Sequence, residues 1–163
     1  LDILDLPRES GIGFSTGATV ANGTCLAAAR TGTLLAAGWD PDADGLFGAP
    51  PVHVLIGADA HSSLFSSLQL IGFGRKRVIS IDTDEQGRMR TDALELDGDA
   101  PTIVCAQLGN VNTGACDELT PIADAVAKSG AEQRPYQMLV DLQKIDGSWV
   151  VARCNDVDSR FKK

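Results

Sequence analysis

Short apolar runs alternate with helix-like segments along most of this chain, and this alternation limits the fold more than any other feature of the sequence. The runs "VHVLIG" (52–57), "KRVISID" (76–82) and "GDAPTIVCAQ" (98–107) are rich in β-branched residues. The first of them is a short, continuous apolar run, which is typical of a strand buried on both faces. The sequence therefore predicts an α/β fold, with a mostly parallel sheet and flanking helices.

The first helical segment follows a run of small and hydroxyl-bearing residues. From Thr19 to about Ala37, apolar side chains recur at a spacing that places them on one side of a helix. The residues predicted to share that side are Val20, Leu26, Ala27, Leu34 and Leu35. Gly23 and Gly32 are each expected to weaken the helix by about 1 kcal/mol relative to alanine.

Two further helices are predicted between and after the strands. Leu64, Leu68 and Ile71 form a helical stripe in the segment "HSSLFSSLQLIGFG" (61–74). The segment "DELTPIADAVAKSG" (117–130) is typical of a helix, with Asp117 as a candidate N-cap. The segment "WDPDADGLFGAPP" (39–51), rich in Asp, Gly and Pro, is predicted to be a loop.

The pattern changes after Gly130. The segments "YQMLVDLQK" (136–144) and "WVVARC" (149–154) are typical of strands, and an Asp-Gly turn joins them. This pattern predicts an antiparallel hairpin rather than another βαβ unit. The sequence therefore divides into an α/β part, residues 1–130, and a C-terminal hairpin and tail, residues 131–163.

Charge and cysteine content exclude several classes of function. The formal net charge of −8 argues against nucleic-acid binding, which needs a clustered basic surface, although backbone donors can still bind a small anion locally. No apolar run approaches a membrane span, so no membrane partner is expected and the predicted location is the cytoplasm. The four cysteines form no C-x-x-C pair, so no metal site is predicted. Buried, reduced thiols are expected at Cys25, Cys105, Cys116 and Cys154.

The stretch "GFSTGATVANGTCLAAAR" (13–30) is the first candidate site. A helix start leaves backbone N–H groups unpaired and carries a partial positive charge, so it can hold an anion. Gly17 and Ala18 let the backbone approach a ligand closely, and nearby hydroxyls such as that of Thr19 can donate to phosphate oxygens. A structural helix capped by Ser or Thr is an equally good interpretation of these residues.

Two more candidate sites follow predicted strands. His61 lies just after the first predicted strand, on the side of an α/β sheet where ligands usually bind, and can stack on a planar ligand or simply cap a helix. The loop "CAQLGNVNTGACD" (105–117) contains Asn110 and other residues that suit either ligand orientation or a plain turn.

Taken together, these segments resemble the group II pyridoxal-phosphate-dependent decarboxylases, the family of aromatic amino-acid and glutamate decarboxylases. The matching stretches are "STGATVANGTCLAAAR", "ADAHSSLFSSLQLIGFG", "VISIDTDEQGRMRTDAL" and "VCAQLGNVNTGACDEL", which are similar to family motifs in the same order. The resemblance covers residues 11–127 and implies part of the large domain of such an enzyme.

The resemblance implies pyridoxal 5'-phosphate as cofactor, an amino acid as substrate and a homodimer as partner state. It assigns the phosphate cradle to Gly17, Ala18 and Thr19. It assigns ring stacking, and with it a catalytic role, to His61, and a position beside the cofactor to Asn110. In the family the cofactor stores the electron pair released as carbon dioxide leaves, and the protein orients and tunes it.

Two family features are missing from the sequence. The family has an aspartate that pairs with the ring nitrogen, in a strand ending "H-V-D-A-A-[YF]-G", and a later lysine that holds the cofactor. Asp141 is the candidate for the aspartate, although "LQKI" follows it where small residues are expected. Lys144 lies too close to Asp141 to match the lysine, so no lysine is assigned.

Three functional interpretations remain at this point. The first is a decarboxylase segment, a carbon–carbon lyase that is expected to be inactive as this chain alone. The second is a non-catalytic module that binds a phosphate-bearing ligand or pairs with another chain. The third is a fragment that does not fold, because an open parallel sheet exposes its edges when it loses neighbouring strands.

Overall fold

The computed structural model describes residues 13–94, 96 and 100–128 in full, together with the backbone of short strands between residues 137 and 156. The helices are α1 (Ala18–Ala36), α2 (Pro41–Asp44), α3 (Ser62–Leu70) and α4 (Leu119–Lys128). The strands are β1 (His53–Gly57), β2 (Val78–Ile81), β3 (Thr102–Gln107), β4 (Gln137–Asp141), β5 (Lys144–Ile145), β6 (Ser148–Trp149) and β7 (Asn155–Asp156). Single 3-10 turns are formed by Arg75–Arg77 and Thr91–Ala93.

The sheet is parallel where the sequence predicts it to be. β1 lies between β2 and β3 and pairs with both in parallel, and β4 pairs in parallel with the other side of β3. A helix separates β1 from β2, a single 3-10 turn separates β2 from β3, and a helix follows β3, which confirms the predicted α/β class. The strand order is therefore β2-β1-β3-β4, with β7 antiparallel at the end.

Alternate residues of the central strands supply two apolar clusters on opposite faces of the sheet, as the pleat of a strand requires. Val54 and Ile56 face the helices α1 and α3. Leu55 and Val104 face α4 and the turn at 91–93. Helices thus cover both faces of β1 and β3, whereas Ile79 of the edge strand β2 is partly exposed.

The prediction for the first helix is confirmed in extent, but its buried face is different. Val20 and Leu35 are about half exposed, so the prediction that they share the apolar side is wrong. The buried residues of α1 are Asn22, Gly23, Leu26, Ala29 and Leu34. The polar Asn22 and the small Gly23 allow α1 to contact α3 closely. Apolar periodicity alone does not detect such a contact.

Two smaller predictions are also corrected. The segment 39–51 contains one helical turn, α2, because the Asp40 carboxylate accepts from the backbone N–H groups of Asp42 and Ala43 and a proline occupies the first helical position. Cys116 is exposed, so the prediction of a buried thiol is wrong there, whereas Cys105 is buried as expected.

The predicted hairpin at 131–163 falls largely outside the described residues. Only the backbone pairing of short strands is given there, including the two-residue ladder between β5 and β6. The hairpin and the division of the chain at residue 130 therefore stay predictions. The backbone of β4, however, follows α4 and pairs in parallel with β3, which is a βαβ unit where the sequence analysis expected none. Within the described part of the chain, no helix is both long enough and apolar enough to cross a membrane.

Replacing Gly23 with alanine is expected to stabilise the fold by about 1 kcal/mol. Gly23 is buried within α1, and a Cβ atom there would lie 4.0 Å from the Cβ of Ser67, which is ordinary van der Waals contact. The alanine therefore adds helix propensity without a clash. Urea unfolding measures the change. Lower stability of Gly23→Ala would show that α1 and α3 need the glycine to approach each other.

Candidate functional site

The strand order creates a crevice at the carboxyl edge of the sheet. The chain leaves β1 towards β2 on one side and later returns to β3 on the other side, so the strand order reverses between β1 and β3. In open α/β sheets, ligands bind at such a switch point, beyond the carboxyl ends of the strands. His61 follows β1 by four residues and Asn110 follows β3 by three, so both flank this switch point.

Helix α1 begins at the same edge of the sheet. Asn22 Nδ2 donates to Ser63 Oγ over 3.4 Å near the start of both helices, and Arg30 Nη1 donates to the carbonyl of Ile71 near the end of α3. The two helices therefore run in the same general direction. Because α3 starts just after the carboxyl end of β1, the start of α1 lies at that edge as well. Ser67 Oγ, 2.8 Å from the Thr19 carbonyl, strengthens the contact.

The start of α1 has the donor set that an anion needs. Gly17 is the N-cap, no side chain among the described residues makes a capping hydrogen bond, and no acidic residue lies in the first turn. The hydroxyl of Ser15 donates to the Gly17 carbonyl rather than accepting from the helix. The prediction of a Ser or Thr cap on this helix is therefore wrong, and anion binding at the helix start stays a prediction. The N–H of Val20 donates to the Gly17 carbonyl over 3.1 Å, so the N–H groups of Ala18 and Thr19 and the helix dipole are left to a ligand or to water.

His61 is the N-cap of α3. Its Nδ1 atom accepts from the backbone N–H of Ser63 over 3.2 Å and lies 2.8 Å from Ser63 Oγ. The ring is partly buried. The capping role expected as the simpler alternative is thus present, and it holds the ring at the helix start while leaving its faces and Nε2 outside the capping contact.

Asn110 organises the loop after β3 and is 4% exposed. Its Oδ1 atom accepts from the backbone N–H groups of Asn112 and Thr113, over 2.9 and 3.3 Å. Its Nδ2 atom lies against Gly87, where an added Cβ would come within 2.6 Å. Gly87 also has a φ of +79°, which other residues rarely adopt, so a glycine is required twice over at this turn.

The turn after β2 is joined to both neighbouring strand ends. Thr83 Oγ1 donates to Asp59 Oδ2 over 2.6 Å, which connects the ends of β2 and β1. Thr113 Oγ1 donates to the carbonyl of Gln86 over 2.6 Å, which connects the turn to the loop after β3. The sequence analysis did not find these contacts, because single hydroxyl and carboxyl groups in loops carry no periodic signal.

Asp117 is a buried connector and not the N-cap predicted for α4. Its carboxylate accepts from the backbone N–H groups of Met89, over 2.7 Å, and Gln107, over 2.6 Å. Burial raises the pKa of Asp117, and repulsion from Asp84 raises it further, although the two backbone N–H groups act in the opposite direction. The prediction failed because a carboxylate close to a helix start can instead bond to strands on either side.

Asp141 ends β4, and its backbone pairs in register with Gln107 of β3. This places residue 141 at the carboxyl edge of the next parallel strand, on the same edge as His61 and Asn110. The side chain of Asp141 lies outside the described residues, so its role stays a prediction. Within the described side chains, His, Cys, Asp and Glu form no group of three that could hold a metal ion.

Comparisons with known proteins agree with this geometry. The L-2,4-diaminobutyrate decarboxylase of Rhizobium meliloti is 34% identical over 134 residues, which are 77% of this chain and 24% of that protein. The structure of mouse CSAD matches with a TM-score of 0.67 at 26% identity, covering 80% of this chain and 28% of that one. This chain is homologous to part of the group II pyridoxal-phosphate-dependent decarboxylases.

A further structure extends the agreement with the decarboxylase family. Oryza sativa TDC with PLP matches with a TM-score of 0.64 and 26% identity, covering 85% of this chain and 32% of that one. No family model matches the sequence. The chain spans about a quarter of the length of the curated decarboxylase that it matches at 34% identity. The matches to these decarboxylases confirm the resemblance drawn from the four sequence motifs.

Proposed function

We propose that this chain forms the phosphate-anchoring part of a pyridoxal-phosphate-dependent amino-acid decarboxylase. The observation that carries the proposal is the pairing of an uncapped helix start with an imidazole at one edge of the sheet. The two groups are joined through the contact between Asn22 and Ser63. Homologous decarboxylases, one of them described with PLP, support the same assignment.

The donor groups at the edge fit the cofactor. Gly17 keeps the approach open, since a Cβ there would meet no atom of the described residues within 4 Å. The backbone N–H groups of Ala18 and Thr19, with the Thr19 hydroxyl, would bind the phosphate. His61 would stack on the pyridine ring, and Asn110 would hold the loop beside it. Asp141 would pair with the ring nitrogen and keep it protonated.

Bound pyridoxal phosphate supplies an electron sink for decarboxylation. The residues of this chain then have two tasks, which are to fix the phosphate at the start of α1 and to hold the ring flat against His61. Within the given sequence no lysine stands in the family's motif, so cofactor binding without turnover is the result expected for the chain alone. This makes a non-catalytic phosphate-binding module the second candidate function.

The remaining features belong to the same proposal. The substrate is an amino acid, and the partner is a second copy of the chain, as the family likeness implies. The proposed location is the cytoplasm, as the sequence analysis predicts. Sedimentation equilibrium tests the homodimer, and a monomer at all concentrations would overturn that part.

The proposal is tested by adding pyridoxal phosphate to the purified chain and recording binding and the visible spectrum. Saturable binding that inorganic phosphate competes away, and that His61→Ala weakens, supports the proposed site. A visible band that disappears when one lysine is replaced would show residual catalytic chemistry, whereas binding without that band favours the module. Binding unaffected by both phosphate and His61→Ala would overturn the proposal.

A further inference from the structure

We propose that Asn22 and Ser63 are positioning residues that fix the ring orientation and tautomer of His61, so that Nδ1 accepts hydrogen bonds and Nε2 carries the hydrogen. This inference rests on the proposed function for its use in catalysis, but the hydrogen-bond chain itself is a property of the protein. It names two residues that neither the sequence motifs nor the family likeness singled out for this task.

The donor and acceptor of each hydrogen bond in this series follow from the backbone N–H of Ser63. The N–H of Ser63 can only donate, and it lies 3.2 Å from His61 Nδ1, so Nδ1 must present a lone pair. In the neutral imidazole the hydrogen is then on Nε2. The same lone pair is 2.8 Å from Ser63 Oγ, which donates its single hydrogen there.

Asn22, on the other helix, supplies the first donor of this hydrogen-bond series. Once the hydroxyl of Ser63 has given its hydrogen to Nδ1, its oxygen can only accept. The group that faces it is the Nδ2 amide of Asn22, a donor, at 3.4 Å. Every member therefore has one consistent role, from the Asn22 amide through the Ser63 hydroxyl to the His61 ring.

Burial strengthens the hydrogen bonds that orient the His61 ring. Asn22 is 2% exposed and Ser63 is 8% exposed, so water does not compete freely for either group. The chain also joins the two proposed ligand contacts, since Asn22 lies one turn into the helix whose start would hold the phosphate. A movement of α1 would therefore change the orientation of the His61 ring.

The consequence for the site is a defined donor. A ring held at Nδ1 can neither rotate nor change its tautomer without breaking two hydrogen bonds. It presents Nε2–H to a ligand acceptor, such as a carboxylate or a phenolic oxygen. A ring without this support would exchange between tautomers and orientations.

The test uses the imidazole nitrogen resonances of the full chain. The sequence contains two histidines, so His53→Gln leaves a single ring to observe. In that background His61 is expected to show the Nε2–H tautomer with a hydrogen-bonded Nδ1. Asn22→Asp keeps the size of the side chain but replaces the donor by an acceptor, which recruits the Ser63 hydroxyl. The Nδ1 resonance should move towards its unbonded value, and the tautomer ratio should fall about fivefold.

Three further variants make the result specific. Ser63→Ala should shift the Nδ1 resonance in the same sense, and Ser63→Thr, which keeps the hydroxyl, should restore it. Thr24→Ala, two residues from Asn22 on the same helix, removes a hydroxyl that donates to the Val20 carbonyl of that helix, and it should leave the resonance unchanged. An Nδ1 resonance that ignores Asn22→Asp and Ser63→Ala in folded protein would overturn the inference.

A parallel titration with pyridoxal phosphate separates this inference from the proposed function. If the unaltered chain binds no pyridoxal phosphate while the Nδ1 resonance responds to the variants, the proposed function fails and the positioning chain stands. If the cofactor binds and the Nδ1 resonance ignores the variants, the positioning chain fails and the proposed function stands. Positioning of the bound ring further predicts about fivefold weaker cofactor binding in Asn22→Asp.

Discussion

Replacing Asp117 with alanine is expected to lower the free energy of unfolding by about 2–4 kcal/mol. The substitution leaves the buried N–H groups of Met89 and Gln107 without their acceptor, and each such loss costs about 1–3 kcal/mol. The variant also separates the turn after β2 from the end of β3, so cofactor binding at that edge should weaken. Urea unfolding measures the stability change.

The control for this prediction is Glu118→Ala. Glu118 is the next residue and is exposed, and within the described residues its side chain makes one long ion pair, of 3.9 Å, with Arg88. Its loss is expected to change stability by less than about 0.5 kcal/mol. Equal effects of the two substitutions would show that Asp117 does not connect the strands as described.

The effect of Asp117 should also depend on pH in a defined direction. Burial raises the pKa of Asp117 above the ordinary value of about 3.9. The folded state therefore binds the proton more tightly than the unfolded state does, and Asp117 contributes more stability as the pH falls through its raised pKa. The stability difference between the wild-type chain and Asp117→Ala should grow as the pH falls from 7 towards 4. A difference that shrinks over this range would show that the backbone hydrogen bonds dominate instead.

Replacing Gly17 with aspartate is expected to weaken pyridoxal phosphate binding by at least about thirtyfold while the fold becomes slightly more stable. An N-cap carboxylate accepts from the first-turn N–H groups and complements the helix dipole, which together stabilise the helix by about 0.5–1 kcal/mol. The same carboxylate occupies the place proposed for the phosphate. Two like charges about 4 Å apart near a surface repel by about 4 kcal/mol, and we expect solvent to remove about half of this.

Two control variants separate the causes. Gly17→Asn caps the helix without adding charge and should weaken binding only severalfold. Gly74→Asp adds the same charge at an exposed position where a Cβ meets nothing within 4 Å, and it should leave binding unchanged. Calorimetric titration with pyridoxal phosphate measures all three affinities. Normal binding by Gly17→Asp would place the phosphate elsewhere.

The sheet could be predicted from the sequence because its signals are local. Each of β1, β2 and β3 is a short β-branched run, and the helix after β1 has an apolar stripe that ends near Gly72. These features depend on residues close together in the chain, so periodicity detects them. The position of His61 beyond a strand end follows from the same reasoning.

The contacts that shape the candidate site could not be predicted in this way. Asn22 and Ser63 are 41 positions apart, and Met89 and Asp117 are 28 apart. Both contacts involve buried polar groups in stretches whose local pattern favours another role, a helix face in one case and an N-cap in the other. Their partners are set by how the helices and strand ends meet, and only the folded chain shows this.

The central claim is that the start of α1 and the ring of His61 form two sides of one cofactor site. The most direct test is a titration of the 15N-labelled chain with pyridoxal phosphate, followed through the backbone amide resonances. The account predicts saturable shifts that are largest at residues 17–19, accompanied by shifts at His61 and in the loop at 108–110. Shifts centred instead on the cavity of about 560 Å³ that Thr91, Leu94 and Leu96 line opposite α4, or saturable binding that leaves residues 17–19 unmoved, would contradict it.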